Sequence, residues 1–196
     1  RWACTAALGD AEAKAIAIWA IRVSALSAGI IPASIQGLYM ACAEGQWSNK
    51  TVPAMNLRGW SYNTIRSVFR AAKKLNAHLF IFEQSITETQ FAEQPPVEYT
   101  AAALAAALRE GHHGPVFMQA DHDQVNAKAY KDNPDKEIDR LKTMMKMQIE
   151  ADFFNIDIDA STVVDLSLPT VEDQQRLNAE LTALFTDYIR SIEPKG

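Results

Sequence analysis

Pro115-Val-Phe-Met-Gln-Ala-Asp-His-Asp-Gln124 is an apolar run that ends abruptly in three consecutive ionisable residues. Such a run has strand length, and its polar ending marks a buried strand that opens onto solvent at its C-terminal end. Three further runs share that form: Val52 to Asn56, His78 to Gln84 and Phe153 to Asp159. Between them lie Tyr62 to Leu75, Val97 to Glu110 and Lys136 to Glu150, with Val171 to Ile192 after the last. All four have helix-forming composition and apolar spacing near three and four. Asn76, Gly111 and Asn155 fall near transitions, and Pro95, Pro96, Pro134 and Pro169 stand just ahead of helices, where proline is tolerated. The pattern is (βα)4, which predicts parallel strands joined by right-handed crossovers. Doubly wound sheets and closed (β/α)8 barrels both satisfy it, and both place chemistry at the C-terminal edge of the sheet.

Ahead of this repeat, Asp10 to Ala28 is rich in helix formers, Gly29 is placed as a C-cap, Pro32 prevents simple continuation, and Ser34 can cap a second helix reaching Ala43. Residues 1–50 therefore read as an N-terminal helical extension, and 51–196 as the βα domain. A chain of 196 residues, 48% hydrophobic and 22% charged, has an ordinary globular balance. Its 19 basic residues are outnumbered by 24 acids and form no block, which argues against nucleic acid as a partner. The run Ala15 to Ile21 falls well short of the roughly 20 residues a membrane helix needs, so no membrane partner is expected. Cys4 and Cys42 lack metal-ligand spacing and sit among alanines, which predicts buried free thiols in a reducing cytoplasm.

Each strand end carries candidate chemistry. In Gln119-Ala-Asp-His-Asp-Gln124 the carboxylate of Asp121 beside the imidazole of His122 offers a proton-transfer group next to a metal ligand. The alternative is that Asp121 caps the following helix while His122 bonds a loop. In Asn155-Ile-Asp-Ile-Asp-Ala-Ser161, alternation puts Asp157 and Asp159 on one strand face, where they repel unless cations or donors separate them. An N-cap and a solvated strand end explain that pair equally well. Asn56 ends its run with an amide, followed by Arg58 and Gly59 in a loop able to approach an oxyanion. Ser85 places a hydroxyl just beyond a strand, where capping is the commoner role. The pair His112-His113 follows Gly111 at a helix end and reads as a favourable contact with that terminus. Met144, Met145 and Met147 read as core filling. The chain contains no phosphate-binding Walker motif, dinucleotide fingerprint, Cys-x-x-Cys or Gly-x-Ser-x-Gly.

Taken in order, Val-Pro-Ala-Met-Asn56, Phe-Glu-Gln-Ser85, Gln-Ala-Asp-His122 and Ile-Asp-Ala-Ser161 resemble the class II, metal-dependent fructose-bisphosphate and tagatose-bisphosphate aldolases. The resemblance spans Val52 to Gly196 and implies the first four βα units of a (β/α)8 (TIM) barrel. It further implies a lyase of carbohydrate metabolism acting on a phosphorylated sugar, with a divalent metal, Zn2+ above all, polarising the ketose carbonyl. By position, Asp121 matches the catalytic acid, His122 the first metal ligand, Asn56 and Ser85 substrate contacts, and Asp159 a carboxylate that holds a secondary metal or orients the ligands. A homo-oligomer in the cytoplasm is the expected form. Asp123 departs from the family pattern and is expected either to raise the pKa of Asp121 by like-charge repulsion or to point to solvent. A catalytic zinc takes three protein ligands. One is supplied here, and the rest are expected from residues after Gly196 or from a second half-barrel. The competing readings are a non-catalytic or assembly subunit of the same architecture, and a related barrel lyase for another sugar.

Overall fold

A computed structural model describes residues 1–194. Its backbone is mixed α/β, with five parallel strands in one sheet. The chain opens with helices α1 (Trp2–Leu8) and α2 (Ala11–Ser27), strand β1 (Ile30–Ala33) and helix α3 (Gln36–Ala43). Then β2 (Ala54–Asn56), α4 (Ser61–Leu75), β3 (Ile81–Ser85), α5 (Ile86–Phe91), α6 (Pro96–Glu110) and β4 (Gly114–Gln124) follow. The last elements are α7 (Ala127–Asp132), α8 (Pro134–Glu150), β5 (Asn155–Asp159) and α9 (Val171–Ile192). The βα repeat is thus present as the sequence predicts, and α9 has the predicted bounds. Gly111 and Asn76 close α6 and α4 in left-handed conformations (φ 64° and 53°), and Pro96 and Pro134 open α6 and α8.

Two readings need correction. The first 50 residues are not wholly helical, because Ile30–Ala33 pairs in parallel with Gly114 to Phe117 of β4. Pro32 hides this strand from a sequence reading, yet proline is compatible with a short strand at a sheet edge. The thiols of Cys4 and Cys42 are free but exposed, not buried. Only Ala6 of α1 is buried and no residue of α3 is, so neither helix offers its cysteine a core.

β2, β3, β4 and β5 lie side by side in chain order, and β1 and β5 share one edge of β4, β1 below and β5 above. One face of the sheet is apolar: Phe82, Val116, Met118 and Ala120 meet α2, α4 and α6, while Ile156 and Ile158 meet α8 and α9. Ala101, Ala103, Ala106 and Ala107 of α6 are fully buried, and their small side chains let α6 lie against its neighbours. Phe69, Phe80 and Phe82 form an edge-to-face trio with centroids 5.5 Å apart. The opposite face holds a small apolar cluster of Ile35, Ile81 and Phe117 at the N-terminal ends of the strands. Farther along each strand that face turns polar.

The N-terminal segment is tied to the end of α8 by Arg22, which donates to Asp152 (2.5 and 3.0 Å) and to the carbonyl of Glu150 (3.1 Å). Asn155 bridges β1, β4 and β5: its amide donates to the carbonyls of Met118 (2.8 Å) and Ala33 (3.3 Å), and its oxygen accepts from Ile35 N–H (2.8 Å). No described helix is long and apolar enough to cross a membrane. Phe82→Ala removes the fully buried ring of the aromatic trio, and we expect it to cost about 3–5 kcal/mol, read as a lowered urea midpoint with an unchanged slope.

Candidate functional site

The polar ends of β2 to β5 converge because the strands run in parallel and in register, Asn56 opposite Glu83 and Ser85 opposite Asp121. Alternation then sets Asn56, Glu83, Ser85, Gln119, Asp121, Asn155, Asp157 and Asp159 on the face away from the main core. Along β4 the alternation breaks. Ala120 pairs with Ile156 but Asp123 pairs with Ile158, so Asp121 and His122 together face Asp157, a β-bulge. His122 takes a left-handed backbone (φ 53°) at this point. The extra residue turns His122 toward the polar face and drives Asp123 to the helix side.

His122 sits among three carboxylates. Its Nδ1 lies 3.1 Å from Asp159 Oδ2 and 4.0 Å from Asp157 Oδ2, and its Nε2 lies 3.6 Å from Asp121 Oδ1. Its backbone N–H donates to Asp157 Oδ2 (3.3 Å). The Asp159 hydrogen bond, reinforced by Asp121 and Asp157, raises the imidazole pKa above its ordinary value. Asp159 is partly desolvated, which alone would raise its pKa, but donors from Ser161, Gln124 and His122 outweigh that and hold it far below the usual carboxylate range. Those donors are Ser161 Oγ (2.6 Å), Ser161 N–H (3.0 Å) and Gln124 Nε2 (2.6 Å).

Asn56 links the other side of the cluster. Its amide nitrogen donates to Asp121 Oδ2 (2.8 Å) and to Glu88 Oε2 (3.1 Å). Glu88 also accepts from Arg58 and from Ser85 N–H (3.0 Å), while Ser85 Oγ accepts from Glu88 N–H (3.2 Å), a reciprocal capping box that opens α5. Burial would raise the Glu88 pKa, but these donors lower it overall. One layer below, Gln119 Nε2 donates to the buried carboxylate of Glu83 (2.6 Å). Desolvation, then Asp121 and Asp157, raise the pKa of Glu83.

The structure brings together Asn56, Asp121, His122 and Asp159, and adds Asp157. It gives Ser85 a capping role beside them. Asp121 is not a helix cap. His112 and His113 lie away from the site: His112 stacks on Phe69 with centroids 4.8 Å apart, and His113 Nδ1 lies 3.0 Å from the carbonyl of Ala28. Sequence reasoning missed Glu83 and Glu88. Glu88 carried a usable signal, the Ser85-x-x-Glu88 spacing of a capping box.

Among the strand-end acids, Asp123 is the misplaced one. It is fully buried, so it neither points to solvent nor stands among the strand-end carboxylates. Burial lifts its pKa to about 7. Gln148 Nε2 donates to its Oδ1 (2.9 Å), while Asp123 Oδ2 and Gln148 Oε1 have no partner among the described residues. One proton on Oδ2 would satisfy both atoms in a cyclic acid–amide pair, the arrangement that burial favours.

Donor atoms of Asp121, His122 and Asp157 all lie within 4.8 Å of one another. One imidazole with hard carboxylates suits a divalent cation such as zinc. No family model matches the chain, and no curated protein matches it significantly.

Asp123 has a raised folded pKa, so its contribution to stability is complete below the unfolded value near 3.8 and is lost as pH rises through about 7. Thermal unfolding of the native chain and of Asp123→Asn between pH 4 and pH 8 checks this. The native midpoint should fall relative to the variant as pH rises, because the amide cannot ionise.

Proposed function

We propose that the chain is a metal-dependent, class II ketose-bisphosphate aldolase that reversibly cleaves a sugar such as fructose 1,6-bisphosphate. The observation that carries this reading is the cluster of Asp121, His122 and Asp157, with donor atoms within 4.8 Å of one another at the strand ends. The side-by-side order of β2 to β5, with α4, α6 and α8 on one face, supports a (β/α)8 architecture; β1, against the lower half of β4, stands outside that order. The acidic residues stand at the C-terminal ends of the strands, where barrel enzymes hold their chemistry.

His122 and Asp157 would hold the cation with Asp121 beside them, and a bound Zn2+ supplies Lewis-acid polarisation of the ketose carbonyl. Asp159 fixes the His122 ring through Nδ1 and orients it, as a carboxylate behind a ligand histidine does. Asp121 moves the proton: in cleavage it accepts from the substrate hydroxyl, and in condensation it returns that proton to the new alkoxide. Asn56 holds Asp121 through Oδ2 and leaves Oδ1 facing His122. A non-catalytic role is the second reading. The observation favouring it is that the His122 ring lies 3.1–4.0 Å from carboxylate oxygens of Asp121, Asp157 and Asp159, so that an imidazolium there would itself bridge the three acids.

Chelation followed by zinc restoration separates the two. We expect aldol cleavage of fructose 1,6-bisphosphate to vanish with the metal and return with zinc, and His122→Ala to lower both activity and zinc stoichiometry at least tenfold. Asp121→Asn should keep the zinc and lose turnover by about 100-fold or more, the scale of a lost general acid–base group. Cleavage that survives exhaustive chelation, or His122→Ala, would sink the proposal.

A further inference from the structure

The loop leaving β2 carries a strained residue that packing does not explain. Trp60 has a left-handed backbone (φ 48°) and is 87% exposed. That conformation is disfavoured for an L residue, because its Cβ crowds the following carbonyl. The adjacent Gly59 has no such φ and has open space where a Cβ would stand, so glycine lies one residue away from the position that calls for it. The loop is held on both sides of the strain. Thr64 donates to the carbonyls of Trp60 (3.0 Å, through N–H) and Gly59 (3.2 Å, through Oγ1), and Ser61 Oγ donates to Gln94 (2.6 Å). A large indole is thereby presented to solvent at the end of the sheet that carries the acidic cluster.

Two residues earlier stands Arg58. Its Nε donates to Glu88, its side chain is 68% exposed, and its Nη groups make no hydrogen bond among the described residues. Glu88 accepts from Asn56, which also donates to Asp121, so the guanidinium is fixed two bridges away from the proposed proton carrier. Beside it stand the carboxylates of Glu88, Asp121, Asp157 and Asp159, with the imidazole of His122 among the aspartates. A phosphate entering beside the aspartates meets like charge. At Arg58 it meets forked donors already held in place.

We propose that Arg58 is a substrate-binding residue that takes a phosphate group, with Trp60 as the wall against which the sugar's carbon chain lies. The identity of the sugar rests on the aldolase reading; the contact itself requires no metal. The full chain, with its Arg58→Ala, Arg58→Lys and Trp60→Phe variants, is titrated with fructose 1,6-bisphosphate and separately with fructose, following tryptophan emission and, independently, heat of binding. The bisphosphate should change the emission of the native chain and not of Trp60→Phe. Arg58→Ala should weaken bisphosphate binding by about 10-fold to 100-fold, Arg58→Lys by less, and fructose should be indifferent to both. If Arg58→Ala fails to fold, Arg58→Gln against Arg58→Lys replaces it, the glutamine losing affinity and the lysine retaining part.

No binding of bisphosphate by the native chain, or equal affinity across the Arg58 variants, overturns the proposal. An emission change retained in Trp60→Phe overturns the role of the indole. Arg58-dependent binding in a chain that never cleaves the sugar leaves this contact standing and removes the aldolase reading; cleavage with Arg58-independent binding does the reverse.

Discussion

The extra residue in β4 decides which side chains reach the site. In an unbroken strand Asp121 and Asp123 would share the polar face and His122 would point into the helices. The bulge opposite Asp157 keeps Asp121 and His122 on the same side and sends Asp123 inward to Gln148. A left-handed histidine is disfavoured by about 1–2 kcal/mol, and the hydrogen bonds to Asp157 and Asp159 offset it. The imidazole is thus held in the middle of carboxylates that would otherwise repel one another.

The rest of the acidic end follows one rule: each carboxylate is separated from the next by a donor. Asn56 stands between Glu88 and Asp121, His122 between Asp121 and Asp159, and Gln124 and Ser161 supply Asp159 from its far side. Glu83 has Gln119 as its donor, and burial, with Asp121 and Asp157 nearby, still raises its pKa.

Much of this was legible in the chain. The alternation of Ile156 and Ile158 with Asp157 and Asp159 placed both aspartates on one face, and β5 keeps them there because it is regular. The same rule fails at His122, since no period in the sequence announces a bulge. Strand β1 was hidden because four residues with an internal proline give no periodic signal, and its partner in β4 is remote along the chain. The exposure of Cys4 and Cys42 was misjudged because alanine-rich helices look like core, whereas α1 and α3 lie mostly outside it. The links from Asn56 to Asp121 and Glu88 join the ends of β2 and β4 to the first turn of α5, and nothing local to any one of them encodes the contact.

Asn155 and Arg22 fasten the N-terminal segment to residues 120 and 130 positions away in sequence. Contacts that distant form late, after the closure of loops between neighbouring strands. A ribosome releases the two ends in the opposite order, the N-terminal helices first and their anchors at Asp152 and Asn155 last. Until α6 is made, Ala17, Ile21 and Ala25 of α2 have little of their core to enter, and Ile16, Trp19, Val23 and Leu26, exposed even in the folded chain, stand beside them. The apolar stripe of α2 thus gains its cover with α6, and the Arg22 and Asn155 contacts lock a segment that is already packed.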